Sequence, residues 1–308
     1  MSITLCMVVK NESENLRGCL QSILPFVDEV LIADTGSTDG SQELIHELAR
    51  IEPIRVELDA ANCFSLTPAR NELYSRVRTD WIFYLDADER FLGAGGNALR
   101  VAIEAAEPNC AGFFGKWLTK IKNDCPFEDY KLFTFRRGST KRGLAHANVQ
   151  LDLRLKGQWA DWLDSLIVNH HPPVPLPAKR ELYWSRLQRS MVLEPGWFRH
   201  NWYAGYMCFQ DGNYDEALDL FRPLVESCSL LFPVEGLNAR MVALDIAASR
   251  GDHDTVERGV HEALAFYDRV IFDFEVKINF RIKPWLANTA QLLREGRISE
   301  IQAYKFVS

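Results

Sequence analysis

Two acidic residues directly follow a predicted strand and indicate a possible metal site. The apolar run WIFYL at residues 81–85 predicts a buried strand, and Asp86, Ala87 and Asp88 come immediately after it. Two carboxylates one residue apart repel each other unless a cation or hydrogen-bond donors offset the repulsion. Hard oxygen ligands select Mg²⁺ or Mn²⁺, and such ions usually bridge to the phosphates of a substrate. Acidic pairs are also common in solvated loops, so this motif alone is a weak signal.

A third carboxylate follows another predicted strand. Asp34 ends the run EVLIAD, and the sequence TGSTDGS after it supplies small residues and backbone N–H groups that let a ligand approach closely. The same polar residues can instead cap the amino terminus of the next helix, and the two interpretations are compatible. Further along, Arg70 and Asn71 stand at the start of a predicted helix, where a guanidinium can neutralise a phosphate or orient a carboxylate.

The order of strands and helices explains why these groups would meet. Residues 3–9 (ITLCMVV) form a continuous apolar run, residues 16–24 show helical spacing, and residues 29–33 predict a second strand. Such alternation is typical of a parallel sheet covered by helices, hence of an α/β fold. Ligands bind these sheets at the carboxyl ends of the strands, where Asp34 and the two later aspartates are expected.

Four ordered motifs resemble those of the family-2 glycosyltransferases. They are VVKNES, ADTGSTDGS, FSLTPARNE and YLDADE, and they cover about residues 3–92. The resemblance implies an inverting enzyme with the GT-A nucleotide-sugar-binding fold, whose sheet is mixed and mostly parallel. It also implies roles for particular residues. Arg70 would lie against the nucleotide, Asp86, beside Ala87, would bind the ribose or the metal-bound phosphates, and Asp88 would ligate the metal directly. The residues implied to contact the nucleobase are Val8, Val9, Lys10, Asn11, Glu12 and Asp34.

The stretch after residue 112 resembles the family less closely. KLFTF at 131–135, the segment from Gly143 to His146, and Val168-Asn169-His170 can occupy the places of RLFRN, GxxHE and a strand ending in I-x-H. Where that pattern has a glutamate, this chain has Ala147, so the resemblance leaves the general base unassigned.

An inverting transfer needs a group that accepts the proton of the attacking acceptor. Asp152 is the candidate for this catalytic role, with Glu128 and Asp129 as alternatives. A thiol acceptor with a lowered pKa would need less help from a base, so the missing glutamate can also reflect the acceptor.

His170 is predicted to be a metal ligand together with Asp88. His170 follows a predicted strand in the second half of the domain, and the metal needs a ligand from that half. A neutral imidazole ligand suits Mn²⁺ better than Mg²⁺. His171 and His146 are alternative ligands, and a histidine that only caps the following segment is the non-functional interpretation.

A proline-rich segment divides the chain. HHPPVPLPAK occupies residues 170–179, and its prolines are incompatible with regular structure. Beyond it, three similar segments each place a glycine between amphipathic stretches, and the first resembles a tetratricopeptide repeat. An ordinary helical bundle is the alternative. The expected domains are a GT-A-like domain at 1–172 and an all-α, tetratricopeptide-like domain at 178–308; the residues behind the repeat prediction are Gly205, Gly212, Tyr214, Ala217, Phe221, Gly251 and Gly296.

Composition and charge limit the partners. The 308 residues, 47% of them apolar, suffice for one large or two ordinary domains. A formal charge of −7 gives no general reason to bind nucleic acid. The seven cysteines include no C-x-x-C pair, which favours reduced thiols. We find no signal peptide and no apolar run long enough to span a membrane, so a cytoplasmic protein is expected.

The sequence thus predicts a glycosyltransferase that uses Mn²⁺ or Mg²⁺. It would move a sugar from a nucleoside diphosphate sugar, most simply a UDP-hexose, to a saccharide or lipid-linked glycan. A peptide or protein side chain is the alternative acceptor, because helical repeats often present concave surfaces to peptides. A catalytically inactive nucleotide-sugar-binding scaffold is the other alternative, motivated by Ala147. The helical domain also offers a surface for homo-oligomer formation.

Overall fold

The computed structural model describes residues 1–48, 65–119, 127–171, 177–226, 231–274 and 282–301. The chain divides into two compact units, Met1–Pro177 and Ala178–Ser308. Several sequence predictions lie outside the described residues: the proline-rich stretch 172–176, the side chain of Glu128, and Cys63, Cys125 and Cys228.

The first unit is a seven-stranded mixed sheet with helices. Its strands are β1 (Ile3–Val9), β2 (Glu29–Asp34), β3 (Trp81–Tyr84), β4 (Glu89–Phe91), β5 (Cys110–Thr119), β6 (Phe127–Arg136) and β7 (Trp159–His170). Its helices are α1 (Ser13–Ile23), α2 (Ser41–Glu47), α3 (Thr67–Ser75), α4 (Gly96–Ala105) and α5 (Gln150–Leu155). The strand order is β2-β1-β3-β6-β5-β7-β4. Strand β1 runs parallel to β2 and β3, and β5 runs parallel to β7, whereas the other neighbours are antiparallel.

Strand β1 separates two hydrophobic cores because successive side chains of a strand point to opposite faces. Ile3, Leu5, Met7 and Val9 pack with the apolar side of α1 and with α4. Cys6 and Val8 pack on the other face with α3 and α5. Helices therefore cover both faces, which explains why all residues from 3 to 9 are buried and why every one except Thr4 is apolar.

Three parallel strands end at the same edge of the sheet. Val9, the last residue of β1, pairs with Asp34, the last residue of β2, and β3 pairs along the opposite side of β1. The chain turns after β3 into β4, which runs antiparallel to β7 with Glu89 opposite His170. The carboxyl end of β7 is thereby brought to the turn that contains Asp86 and Asp88.

The second unit is helical throughout its described residues. Its helices are α6 (Pro177–Leu193), α7 (Arg199–Gln210), α8 (Tyr214–Glu226), α9 (Pro233–Ser249), α10 (His253–Phe274) and α11 (Ile282–Arg294). Gly212 and Gly251 connect consecutive helices with φ of 78° and 70°, and Gly296 follows α11 with φ of 69°. The helical prediction for this region is confirmed. No described helix is both long and apolar enough to cross a membrane.

Gly205 is required by the close approach of α7 and α8. A Cβ atom at this position would lie 2.4 Å from Cε1 of Phe221, whose side chain is fully buried. This contact joins two of the residues that the repeat prediction rests on, and Ala217, a third, is also fully buried. The small residue on α7 and the large residue on α8 therefore fit each other as a pair.

Replacement of Gly205 by valine tests this packing. The added carbons would overlap the Phe221 ring, so we expect the free energy of unfolding to fall by about 1–3 kcal/mol. Gly196→Val is the matched control in the same unit, because a Cβ there meets no atom within 4 Å; its effect should stay below about 0.5 kcal/mol. Chemical denaturation followed by circular dichroism measures both, and equal stabilities of the two variants would contradict the packing described.

Candidate functional site

A cleft of about 270 Å³ opens where the three parallel strands end. Its lining combines predicted site residues from the ends of β1 and β3, helix α3 and the end of β7. Thr35 and Leu66 also line it; both lie in the quoted motifs, but neither is singled out as a site residue from sequence. Asn11, Asp34 and Asp152 are not among the lining residues. The full lining is Val8, Val9, Lys10, Glu12, Thr35, Leu66, Arg70, Asp86, Ala87, Asp88 and His170.

Asp34 has one engaged and one unengaged carboxylate oxygen. Its Oδ1 accepts hydrogen bonds from the backbone N–H groups of Gly36 and Ser37, both at 2.9 Å, and from Gln42 Nε2 at 2.8 Å. Burial raises the pKa of Asp34, but these hydrogen bonds outweigh it and hold the pKa below 3.8. Its Oδ2 is buried and has no hydrogen-bond partner in the described part of the chain. Buried acceptors are nearly always paired, so Oδ2 is suited to a ligand donor.

Asn11 fixes the loop that follows Asp34. Its backbone N–H donates to Ser37 Oγ and its Oδ1 accepts from the backbone N–H of Thr38, both at 2.8 Å. Asn11 has a positive φ of 56°, a conformation that asparagine tolerates better than most residues. These contacts give Asn11 a positioning role beside the cleft in this structure.

Asp86 is held by two cations and a hydroxyl. Its carboxylate accepts hydrogen bonds from Arg70 Nη2 at 2.9 Å, Lys131 Nζ at 3.2 Å and the Tyr84 hydroxyl at 2.7–2.8 Å. Burial opposes ionisation of Asp86, but Lys131 and Arg70 outweigh it and hold its pKa well below 3.8. Asp86 is therefore ionised and its charge is balanced by protein groups.

Glu89 extends this cluster into the interior. It is almost fully buried and accepts hydrogen bonds from Lys131 Nζ at 2.5 Å, Trp117 Nε1 at 2.8 Å and the backbone N–H of Asp86 at 2.8 Å. Burial raises the pKa of Glu89. The positive charge of Lys131 lowers it, and the negative charge of Asp86 raises it again, so that the pKa of Glu89 lies above its usual value. Lys131 thus links the two carboxylates and fixes the turn between β3 and β4.

Asp88 faces His170, as the metal-site prediction requires. Asp88 Oδ2 lies 3.4 Å from His170 Nε2, and the backbone N–H of His171 donates to the Asp88 carbonyl at 2.9 Å. The ring of His170 stacks on Trp117 with a centroid distance of 4.4 Å, and its Nδ1 lies 3.1 Å from Thr119 Oγ1. A hydrogen bond from Nδ1–H to Thr119 would leave the Nε2 lone pair directed at Asp88.

This pair fits a divalent cation that is completed by a substrate. In the described residues no group of three or more His, Cys, Asp or Glu side chains could hold a metal ion. One carboxylate and one imidazole are too few for a closed site, but Mg²⁺ and Mn²⁺ commonly take one or two protein ligands together with water and substrate phosphates. The nitrogen ligand favours Mn²⁺ over Mg²⁺.

Asp152 lies in a different environment. Its carboxylate is almost fully buried and accepts hydrogen bonds from Arg142 Nη2 at 2.8 Å, Lys156 Nζ at 2.5 Å and the backbone N–H of Thr140 at 3.0 Å. Burial raises its pKa, but these donors outweigh it and lower the pKa below 3.8. The catalytic role of Asp152 stays a prediction, and these surroundings argue against it because a paired carboxylate of low pKa is a weak base.

Sequence reasoning misses the residues that balance Asp86. Tyr84 and Glu89 flank the Asp86–Asp88 motif, and Lys131 begins the KLFTF segment. The sequence does not show that any of these three side chains reaches Asp86. The available signal is a lysine that directly precedes the mainly apolar run LFTF, since a buried lysine needs a carboxylate partner. The predicted alternative base Asp129 has an exposed side chain and is not among the residues that line the cleft.

Part of the chain matches a known protein family. Residues 4–148 match the family described as "Glycosyl transferase family 2". The matched residues lie in the first unit and make up a little less than half of the chain. This match confirms the predicted resemblance to the family and, with the mixed sheet, the predicted GT-A-like fold.

Curated relatives match only part of this chain. It is 36% identical over 106 residues to a TPR repeat-containing protein of Synechococcus elongatus, a match that covers 34% of this chain and 25% of the relative. It is 29% identical over 91 residues to the SPbeta prophage-derived glycosyltransferase SunS of Bacillus subtilis, covering 29% of this chain and 21% of that protein. The chain thus spans about a quarter or less of the length of these relatives.

Two solved structures show distant similarity to this chain. One is Staphylococcus aureus TarS 1-349 in complex with UDP-GlcNAc, with 10% identity, a TM-score of 0.49, and coverage of 96% of this chain and 92% of that one. The other is mannosyl-3-phosphoglycerate synthase from Rubrobacter xylanophilus, with 17% identity, a TM-score of 0.45, and coverage of 63% of this chain and 75% of that one.

Asp152→Asn separates a structural from a catalytic role. Loss of the charge that binds Arg142 and Lys156 should lower the free energy of unfolding by about 1–2 kcal/mol at neutral pH, a value reduced by the exposure of both partners. The folded-state pKa of Asp152 is depressed, so this stability is present above the usual aspartate pKa and is lost as the pH falls through the folded value. Urea denaturation at several pH values measures the difference.

The control for this variant is Glu72→Gln, which removes an exposed ion pair with Arg76 and should change stability by less than about 0.5 kcal/mol. A variant Asp152→Asn with unchanged stability and no sugar transfer would contradict the structural role and support a catalytic base.

Proposed function

We propose that the chain is a metal-dependent, inverting glycosyltransferase that uses a nucleoside diphosphate sugar, with a UDP-hexose as the donor. The observation that carries this proposal is the composition of the cleft. Asp86, with its bound Arg70 and Lys131, and the Asp88–His170 pair lie together beside the loop that follows Asp34. Such a site offers separate partners for a base, for phosphates and for a cation. The family match of residues 4–148 supports the same reaction class.

The nucleobase end of the donor is assigned to Asp34 and its surroundings. Asp34 Oδ2 is a buried acceptor without a described partner, and the residue after it, Thr35, lines the cleft. A uracil base carries an N–H donor that would satisfy such an acceptor. Val8 and Val9 supply apolar lining at the end of β1, against which a planar base can pack. We propose that this arrangement selects a uridine nucleotide.

The diphosphate end is assigned to the opposite side of the cleft. Asp88 and His170 would hold a Mn²⁺ or Mg²⁺ ion, which would offset the negative charge that develops on the diphosphate leaving group. Arg70 lines the cleft and its Nε is buried without a hydrogen-bond partner in the described residues, so the guanidinium retains a donor for a phosphate or a ribose oxygen. Asp86 holds Arg70 in place for that contact.

The acceptor is proposed to be a saccharide or a lipid-linked glycan.

The cleft has few candidates for a general base. Ala147 stands where the family pattern has a glutamate, and no lining residue other than Glu12, Asp86 and Asp88 is acidic. This observation favours a second candidate, a protein that binds nucleotide sugars without transferring them. Detection of sugar transfer or donor hydrolysis with Mn²⁺ would exclude the second candidate.

Asp34→Asn tests the nucleobase contact. Asparagine keeps an acceptor for Gly36 and Ser37 but replaces the unpartnered oxygen with an N–H₂ group, so the fold should persist while a base N–H meets a donor. We expect UDP affinity without metal to fall about ten- to a hundred-fold. Isothermal titration calorimetry measures this loss.

Asp28→Asn is the control for this prediction. Asp28 also accepts a hydrogen bond from a backbone N–H, that of Ile3 at 2.8 Å, but it precedes β2 at the other end of the strand. This variant should bind UDP like the wild type. Equal UDP affinity of Asp34→Asn and wild type would remove Asp34 from the nucleobase site.

Asp88→Asn tests the metal assignment. The amide is a poor metal ligand, so we expect the Mn²⁺-dependent part of the thermal shift caused by UDP-glucose to disappear and transfer to be abolished. The melting temperature of the free protein should change by less than about 2 °C, because Asp88 makes no contact essential to the sheet through its side chain. Differential scanning fluorimetry with and without Mn²⁺ gives both quantities.

Asp161→Asn provides the control, since Asp161 is an exposed carboxylate on β7 that is absent from the cleft lining. If Asp88→Asn kept a wild-type response to Mn²⁺, the metal would have to bind elsewhere.

A further inference from the structure

Lys141 is a buried lysine whose backbone is held firmly in place. Asn71 accepts a hydrogen bond from the Lys141 N–H at 2.8 Å and donates one to its carbonyl at 2.9 Å. The side chain is only 8% exposed, and Nζ lies 3.8 Å from the centroid of the Tyr84 ring. Its Nζ forms no hydrogen bond or ion pair in the part of the chain that the structure describes.

Three basic side chains surround Tyr84. Arg70, Lys131 and Lys141 lie 5.1, 4.5 and 3.8 Å from the centroid of its ring. The carboxylates of this cluster are already engaged, because Asp86 binds Arg70 and Lys131 while Glu89 binds Lys131. Among the residues that the structure describes, three basic side chains therefore face two carboxylates, and Lys141 is the one of the three without a direct hydrogen bond or ion pair.

An unpaired ammonium is costly in such a place. Burial, and next the positive charge of Arg70, lower the pKa of Lys141 well below 10.5; Asp86 and Glu89 offset this only in part, and Lys131 adds to it. The hydroxyl of Tyr84 donates to Asp86, so the ring presents only its π face to the ammonium. The fold gains nothing from this arrangement that an apolar side chain of similar size would not supply better.

We propose that Lys141 senses the donor's diphosphate: its buried amine takes up a proton from solvent and becomes an ammonium when the diphosphate docks beside Arg70 and Asp86. This inference rests on the proposed function. The added negative charge supplies the partner that Lys141 lacks, so the ammonium form becomes favoured while the donor is bound. Lys141 would then share with Arg70 the neutralisation of the leaving group, in addition to any metal ion held at Asp88 and His170.

Proton uptake is measurable by calorimetry with UDP-glucose as the probe. Its diphosphate is a diester and lacks the second phosphate ionisation near pH 6, so the ligand itself contributes no proton change at neutral pH. Titrations in HEPES and in Tris, with and without Mn²⁺, give the number of protons taken up from the dependence on buffer ionisation enthalpy. We expect uptake of up to about one proton per UDP-glucose in the wild type.

Two variants at this position distinguish sensing from a structural role. Lys141→Met should raise the melting temperature, weaken UDP-glucose binding about ten- to a hundred-fold and abolish the uptake. Lys141→Arg keeps a permanent charge, so it should retain affinity within about threefold but show no uptake. Lys283→Met, at an exposed lysine of the helical unit paired with Asp268, is the control and should leave affinity and uptake unchanged.

The outcomes separate this inference from the proposed function. UDP-glucose that binds the wild type without proton uptake and binds Lys141→Met equally well would overturn the role of Lys141 and leave the function standing. A Lys141→Met variant that loses stability would also overturn it, because Lys141 would then be a structural residue. Failure of the wild type to bind UDP-glucose would overturn the UDP-hexose proposal, and this inference with it.

Discussion

The hydrogen bonds and ion pairs of Asp86 fix the geometry on which the whole site depends. This carboxylate follows β3 and is bound by Arg70 from α3, by Lys131 from β6 and by the hydroxyl of Tyr84. A carboxylate at a strand end would otherwise repel the acidic residues around it. Since its partners come from three separate elements, Asp86 ties the turn after β3 to the helix and strand on either side of it.

This arrangement gives the two aspartates of the motif different chemistry. Asp86 is neutralised by protein cations, so it contributes rigidity and holds Arg70 toward the cleft. Asp88, two residues later, faces His170, and we propose this pair as the cation site. The antiparallel pairing of β4 and β7 creates this second contact, because it sets Glu89 opposite His170. Neighbouring carboxylates thus serve separate purposes because their surroundings differ, a common arrangement in sites that handle charged substrates.

Much of the site could be predicted from the sequence, because its residues sit at places with local signals. Continuous apolar runs locate β1, β2 and β3, and polar residues directly after them, such as Lys10 and Asp86, must gather at one edge. The mixed half of the sheet was harder, since the antiparallel insertion of β6 between β3 and β5 leaves no periodic signal. The sequence also gives no signal for the positions of Lys131 and Lys141, because their contacts are long-range. Strand pairing brings Lys131 to Asp86, and hydrogen bonds to Asn71 hold the backbone of Lys141.

The central claim is that Asp88 and His170 together bind a cation that the diphosphate completes, while Asp86 does not bind it. Anomalous diffraction from crystals soaked with Mn²⁺ and UDP-glucose tests this most directly. We expect one Mn²⁺ peak within about 2.3 Å of an Asp88 oxygen and of His170 Nε2, with the Arg70–Asp86 and Lys131–Asp86 ion pairs intact. A peak on Asp86 with those ion pairs broken, or bound UDP-glucose with no manganese at His170, would contradict it.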